Sequence, residues 1–156
     1  MKLNFTRALI CFFITYVAVT IMATAISVIY GIITNSPPPA PGVSVLQAAS
    51  FVATVPYHVL LMLLIWPVAA WIYFKKPFQK DPGTQIKETL SLSFFWLIAA
   101  IFTDFVCFVF IKHPYSLTPH EFYVLYQPWI SLIYLSIFLS PLIRLGFLMV
   151  FKKQQD

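Results

Sequence analysis

LSLSFFWLIAAIFTDFVCFVFI, residues 90–111, carries one charged side chain, Asp104, in an otherwise uncharged and mostly apolar run. A helix of about 20 apolar residues crosses the hydrocarbon core of a bilayer, so this stretch reads as a membrane span. The acid is what such a span should avoid. A charge near the bilayer centre costs about 2.5–3.5 kcal/mol on insertion scales unless it faces other helices, meets a partner or reaches water.

Three more runs of the same kind cover 8–33, 46–74 and 128–151. The 156-residue chain is 60% hydrophobic and 10% charged, with a mean hydropathy of +0.86. A soluble domain carries about 25% charged residues, so this composition could not cover a water-facing surface. The expected fold class is an all-α integral membrane protein, a four-transmembrane-helix bundle in one domain over 1–156. Span one begins like a signal peptide, with Lys2, Arg7 and then Ala23-Thr24-Ala25. Its apolar run continues past that site, so it is expected to be a retained helix.

Lysine and arginine flanking the spans orient a membrane protein. Lys2 and Arg7 precede span one, Lys75, Lys76, Lys80 and Lys87 lie in the loop 75–89, and Lys152 and Lys153 close the chain. On the other side the loop 34–45 is uncharged and the loop 112–127 has only Lys112 among these residue types. Both termini are therefore expected in the cytoplasm, in a bacterial plasma (inner) membrane as the default for a compact chain without sorting signals. Arg144, near the inner end of span four, is expected to snorkel to the headgroups. The net charge of +5 follows this topology pattern and does not point to nucleic acid.

Local signals refine the picture. Pro56 and Pro67 fall inside span two, and Asp81-Pro82-Gly83 reads as a turn. Thr118-Pro119-His120-Glu121 reads as a helix start, with Thr118 as cap, Pro119 in the first position and Glu121 three residues on. An interfacial helix or a kink is thus expected before span four. Spans two and four each contain two prolines and end in Phe-Lys-Lys, so the chain also reads as a tandem repeat of two helical hairpins.

Residues three and four apart share a helix face. Each span then shows a small or polar stripe: Thr20, Thr24, Ser27 and Gly31; Gln47, Ser50, Thr54 and His58; Ser93, Ala100, Asp104 and Cys107; Gln127, Ser131 and Tyr134. Measured from the expected span ends, Asp104 lies roughly 10 Å below the outer surface, level with Thr54, and His58 about 6 Å deeper. This suggests an outward-facing polar pocket with Asp104 and His58 paired at its floor. Thr54, Thr24, Thr20, Gln47 and Ser131 would line it. A second constellation, Tyr115, His120, Glu121, Tyr123, Tyr126 and Trp129, forms an aromatic belt or an outer interaction surface.

No nucleotide-binding, metalloprotease or serine-hydrolase motif occurs, and the spacing of cysteine and histidine does not suggest a metal. Cys11 and Cys107 are expected near opposite faces, too far apart for a disulfide. No cofactor is called for. The expected partners are the lipid bilayer and other membrane subunits or a second copy of the chain. The leading expectation is a non-enzymatic accessory or structural subunit of a larger membrane complex. The alternative is a transporter or channel component binding a proton, cation or polar solute at Asp104 and His58. A membrane-embedded lipid-modifying enzyme is the third.

Overall fold

The computed structural model describes residues 3–40, 43–75, 82–112 and 116–152. Four helices in it are long and apolar enough to cross a membrane, and the described residues contain no strand. Helix α1, Phe5–Ile33, starts where the Asn4 carboxamide oxygen accepts from the Arg7 N–H at 3.1 Å. It ends before Asn35, whose φ of 48° suits a residue type that tolerates left-handed backbone. A short 3-10 turn, Val45–Gln47, leads into α2, Ala49–Tyr73, which holds both expected prolines in its interior.

Helix α3, Pro82–Asp104, begins earlier than the apolar run implies, so 82–89 are helix where a loop was expected. Proline is favoured in a first helical turn because its missing N–H has no intrahelical partner there anyway. Pro82 and Gly83 of the expected turn are already helical, and Asp81 lies outside the described residues. Beyond Asp104 the same helix widens into π geometry over Phe105–Phe110. A separate π-helical turn, Glu121–Leu125, precedes α4, Trp129–Lys152, across a tight turn at 126–128. The helical turn before α4 is thus a distinct element, not a straight extension of α4.

The helices form a circuit. Helix α2 packs along α1 and α4, α4 also packs along α3, and α3 closes on α1 over a thinner seam. Both described chain ends lie at one end of the bundle, where Arg7 Nη2 donates to the Ile72 carbonyl at 2.7 Å. We call this the terminal end and the opposite one the distal end. The core is an aromatic layer: Trp66 lies 5.7 Å from Phe12 and 5.3 Å from Trp96, ring centre to ring centre. The Trp96 indole is not left unsatisfied there, since Nε1 donates to the Ala8 carbonyl at 3.1 Å.

Registers explain the distal end. Trp96 with Ala8 and Asp104 with Tyr16 are both 88 residues apart, so α1 and α3 run parallel in one register. Helix α2 runs antiparallel to α1, with Ser27 at Thr54 and Gly31 at Ser50, where a Cβ on the glycine would stand 3.4 Å from the serine Cβ. Carried along α3, that 88-residue offset sets Gly31 at a level nine residues past Phe110. Helix α3 is therefore recessed by roughly 13 Å below the tips of α1 and α2. The segment 116–128 folds into this recess as a cap, with Leu117, Phe122 and Tyr126 buried.

Arg144 departs from expectation. It is buried, its guanidinium carbon 4.2 Å from the Phe74 ring centre and 5.5 Å from that of Trp71, within the field of Glu88. The end of α2 covers it, and stacking on aromatic faces replaces the headgroup contact that snorkelling would have supplied.

Replacing Trp96 by alanine removes the centre of the aromatic layer and the bond to Ala8. Denaturant titration of detergent-solubilised protein should show a loss of about 3–5 kcal/mol, against a smaller loss for Trp96→Phe.

Candidate functional site

Asp104 is the last α-helical residue of α3. From there the helix widens, the Ile111 N–H bonding five residues back to the Val106 carbonyl at 3.0 Å. Such π turns alter which side chains face a site and are frequent where function resides. Asp104 is 7% exposed, and its carboxyl accepts from Tyr16 of α1, so it faces the bundle, not lipid.

Tyrosines surround it. The Tyr16 hydroxyl on α1 donates to Asp104 Oδ1. The Tyr134 hydroxyl on α4 is buried and faces both Asp104 and Tyr123, yet it completes no hydrogen bond of ordinary geometry. Tyr123 and Tyr126 come from the cap. Burial, and after it the Asp104 carboxyl, push both of their hydroxyls above the ordinary tyrosine value. Cys107, one turn on, approaches Tyr16.

The cap is held by reciprocal bonds. Glu121 Oε2 accepts from the Thr118 N–H at 2.7 Å and its hydroxyl at 2.8 Å, while Thr118 Oγ1 accepts from the Glu121 N–H at 3.2 Å. This is the capping box expected from the sequence. The Leu117 N–H bonds to the Phe108 carbonyl at 2.7 Å, and Phe122 stacks on Phe108 with ring centres 5.9 Å apart. Tyr126 packs on Phe51 of α2 at 5.7 Å. Those contacts hold Tyr123 and Tyr126 within the field of the acid.

His58 belongs elsewhere. Its Nε2 lies 3.1 Å from Ser27 Oγ, which lies 2.7 Å from Thr54 Oγ1. Thr54 in turn donates to the Ser50 carbonyl at 2.8 Å. The stripes expected on spans one and two thus face each other, forming a ladder between α1 and α2. The α1–α2 register puts Tyr16, and with it Asp104, level with residues 63–65 of α2. His58 is about six residues away along the axis, or ~9 Å, so the pair expected from the sequence does not form.

The other pocket residues also disperse. Thr20 and Thr24 donate back to the carbonyls of Tyr16 and Thr20, at 2.8 and 2.9 Å. Gln47 is exposed in its 3-10 turn, and Ser131 donates to Gln127 Oε1 at 2.7 Å on an exposed face. Of the outer-surface residues, His120 is exposed, Tyr123, Trp129 and Glu121 are half-buried, and Tyr115 lies outside the described residues. Tyr126 is buried against Phe51, so its ring is not available to a partner. Tyr16 escaped the sequence reading. It sits one turn before Thr20 on the same stripe, and that spacing could have found it.

Chemically, the cage offers a carboxyl with hydroxyl partners able to donate or accept. Among the described residues, no group of three or more histidine, cysteine, aspartate or glutamate side chains could hold a metal ion. Fold and site together define a polytopic helical membrane protein with an acid enclosed by tyrosines. No family model, curated protein or solved structure matches the chain significantly.

A double-mutant cycle of Tyr16→Phe with Asp104→Asn should give a coupling of about 0.6–1.7 kcal/mol in denaturant unfolding, the range of hydrogen bonds inside membrane bundles. The same cycle with His58→Gln in place of Tyr16→Phe should be additive within about 0.5 kcal/mol.

The Thr118 N–H and hydroxyl hold the Glu121 carboxyl below its ordinary value of 4.5. With the folded value depressed, the stabilisation is complete above that ordinary value and fades as pH falls through the lower, folded one. Amide exchange in 117–126, corrected for intrinsic rates, should lose protection on acidification while α1 and α2 keep theirs. Glu121→Gln, which does not ionise, should remove that difference, and Thr118→Ala, which keeps the N–H bond, should reduce it in part.

Proposed function

We propose that the protein is a non-enzymatic subunit of a larger membrane complex, with both termini in the cytoplasm of a bacterial cell and the cap on the outer side. The observation that carries this reading is the cap itself. Its capping box and buried Phe122 and Tyr126 make 116–128 a structured surface, from which Val124 and Leu125 project, each 56% exposed. Exposed aliphatic side chains on an anchored element suit docking, because little ordering entropy is lost on contact.

The orientation draws on Arg7, Lys75 and Lys87 lying at the terminal end and Lys112 at the other. The tandem-repeat reading is supported by each half forming its own packed hairpin, α1 with α2 and α3 with α4. An outward pocket shared by Asp104 and His58 finds no such support, since each side chain has its own partners.

Photo-crosslinking amino acids at positions 124 and 125, with position 14 on the exposed face of α1 as the lipid control, test the docking reading in native membranes. A discrete higher-mass adduct specific to 124 and 125 is expected. Identical lipid-only labelling at all three positions would remove the basis for it.

A further inference from the structure

Asp104 is enclosed by groups of one chemical kind. From α1 comes Tyr16, from α4 Tyr134, and from the cap Tyr123 and Tyr126, while Cys107 of its own helix approaches Tyr16. Helix α2 presents residues 63–65 at this level, two leucines and an isoleucine, with no titratable group. Among the described residues no lysine, arginine or histidine is paired with the carboxyl. A buried acid held by a cation would be fixed in its ionised form. One held by hydroxyls is not, because a hydroxyl donates to a carboxylate and, after rotating, accepts from a carboxylic acid.

The hydroxyls also lead somewhere. The buried Tyr134 Oη faces Asp104 on one side and Tyr123 on the other, with hydrogen-bonding capacity that no completed bond uses. Tyr123 is half-buried, and it lies on the cap at the distal end of the bundle. Toward the terminal end the way is closed by Ala100 and Trp96, one and two turns below Asp104 on α3, and by Trp66 and Phe12 packed on Trp96.

We propose that Asp104 is a reversible proton-binding site that exchanges with the distal face through Tyr134 and Tyr123. In loading, hydronium at the cap gives a proton to the Tyr123 oxygen and becomes water, and Tyr123 passes its own proton to Tyr134. Tyr134 passes its own to Asp104 Oδ, and rotation of the two hydroxyls resets the chain. One proton moves from hydronium to the carboxylate, each tyrosine ends neutral, and no bond between heavy atoms changes. This holds whether or not the cap docks a partner.

Infrared difference spectroscopy of the full chain in lipid nanodiscs, with pH steps and a switch from H2O to D2O, tests it. The wild type should show a protonated-carboxyl band that grows on acidification, shifts in D2O, disappears in Asp104→Asn and moves in Asp104→Glu. Tyr134→Phe should slow its exchange by about a hundredfold, the scale of a positioned proton-transfer group, and Tyr123→Phe should slow it too. Circular dichroism verifies that each variant is folded, and a variant that does not fold is replaced by the remaining tyrosine or carboxyl variant. No carboxyl band sensitive to position 104, or exchange equally fast without either hydroxyl, overturns the proposal.

Discussion

The hydrogen bond from Tyr16 to Asp104 joins α1 to α3 across the thinnest seam of the bundle, and the distal architecture depends on the register it keeps. Lipid tails are as apolar as leucine, so helices in a bilayer gain nothing hydrophobic by associating. Seams close by packing and by polar links. Here the link and the Trp96–Ala8 bond share one offset, which leaves α3 short at the distal end. The shortfall is then filled by the chain that connects α3 to α4.

Two polar clusters result, and magnitudes separate them. The Ser27, Thr54 and His58 ladder consists of groups that need not carry charge, each link worth about 0.6 kcal/mol on average. It is adequate glue between α1 and α2, helped by close approach at Gly31. For Asp104 the same link is too small. A cost of about 2.5–3.5 kcal/mol for a central charge exceeds what one membrane hydrogen bond returns, at most about 1.7. The carboxyl therefore draws on more than one helix, with Tyr16 from α1 and Tyr134 from α4 facing it and Tyr123 of the cap facing Tyr134.

Span number and span type were legible because about 20 apolar residues have few other uses. The Thr118–Glu121 box was legible because capping is local in sequence. So was the facing of the first two stripes, since a short connection forces α1 and α2 into an antiparallel pair. The partner of Asp104 was not. Reckoning depth from span ends assumes four helices flush at the outer surface, and the recess of α3 breaks that assumption by enough to separate Asp104 from His58. Tyr16 passed as one aromatic among many, because its hydroxyl matters only once the α1–α3 offset is known. Arg144 was misplaced for a related reason: cover from Phe74 depends on where α2 ends, not on the sequence around the arginine.

The two distal connections tolerate change in chain length very differently. None of residues 34–40 is buried, so an insertion there lengthens a tether and alters little else. The link from α3 to α4 buries Leu117, Phe122 and Tyr126, and a single added or deleted residue would rotate those anchors out of register. Divergent versions of this chain should thus vary in size along the proline stretch and hold the other link to constant length.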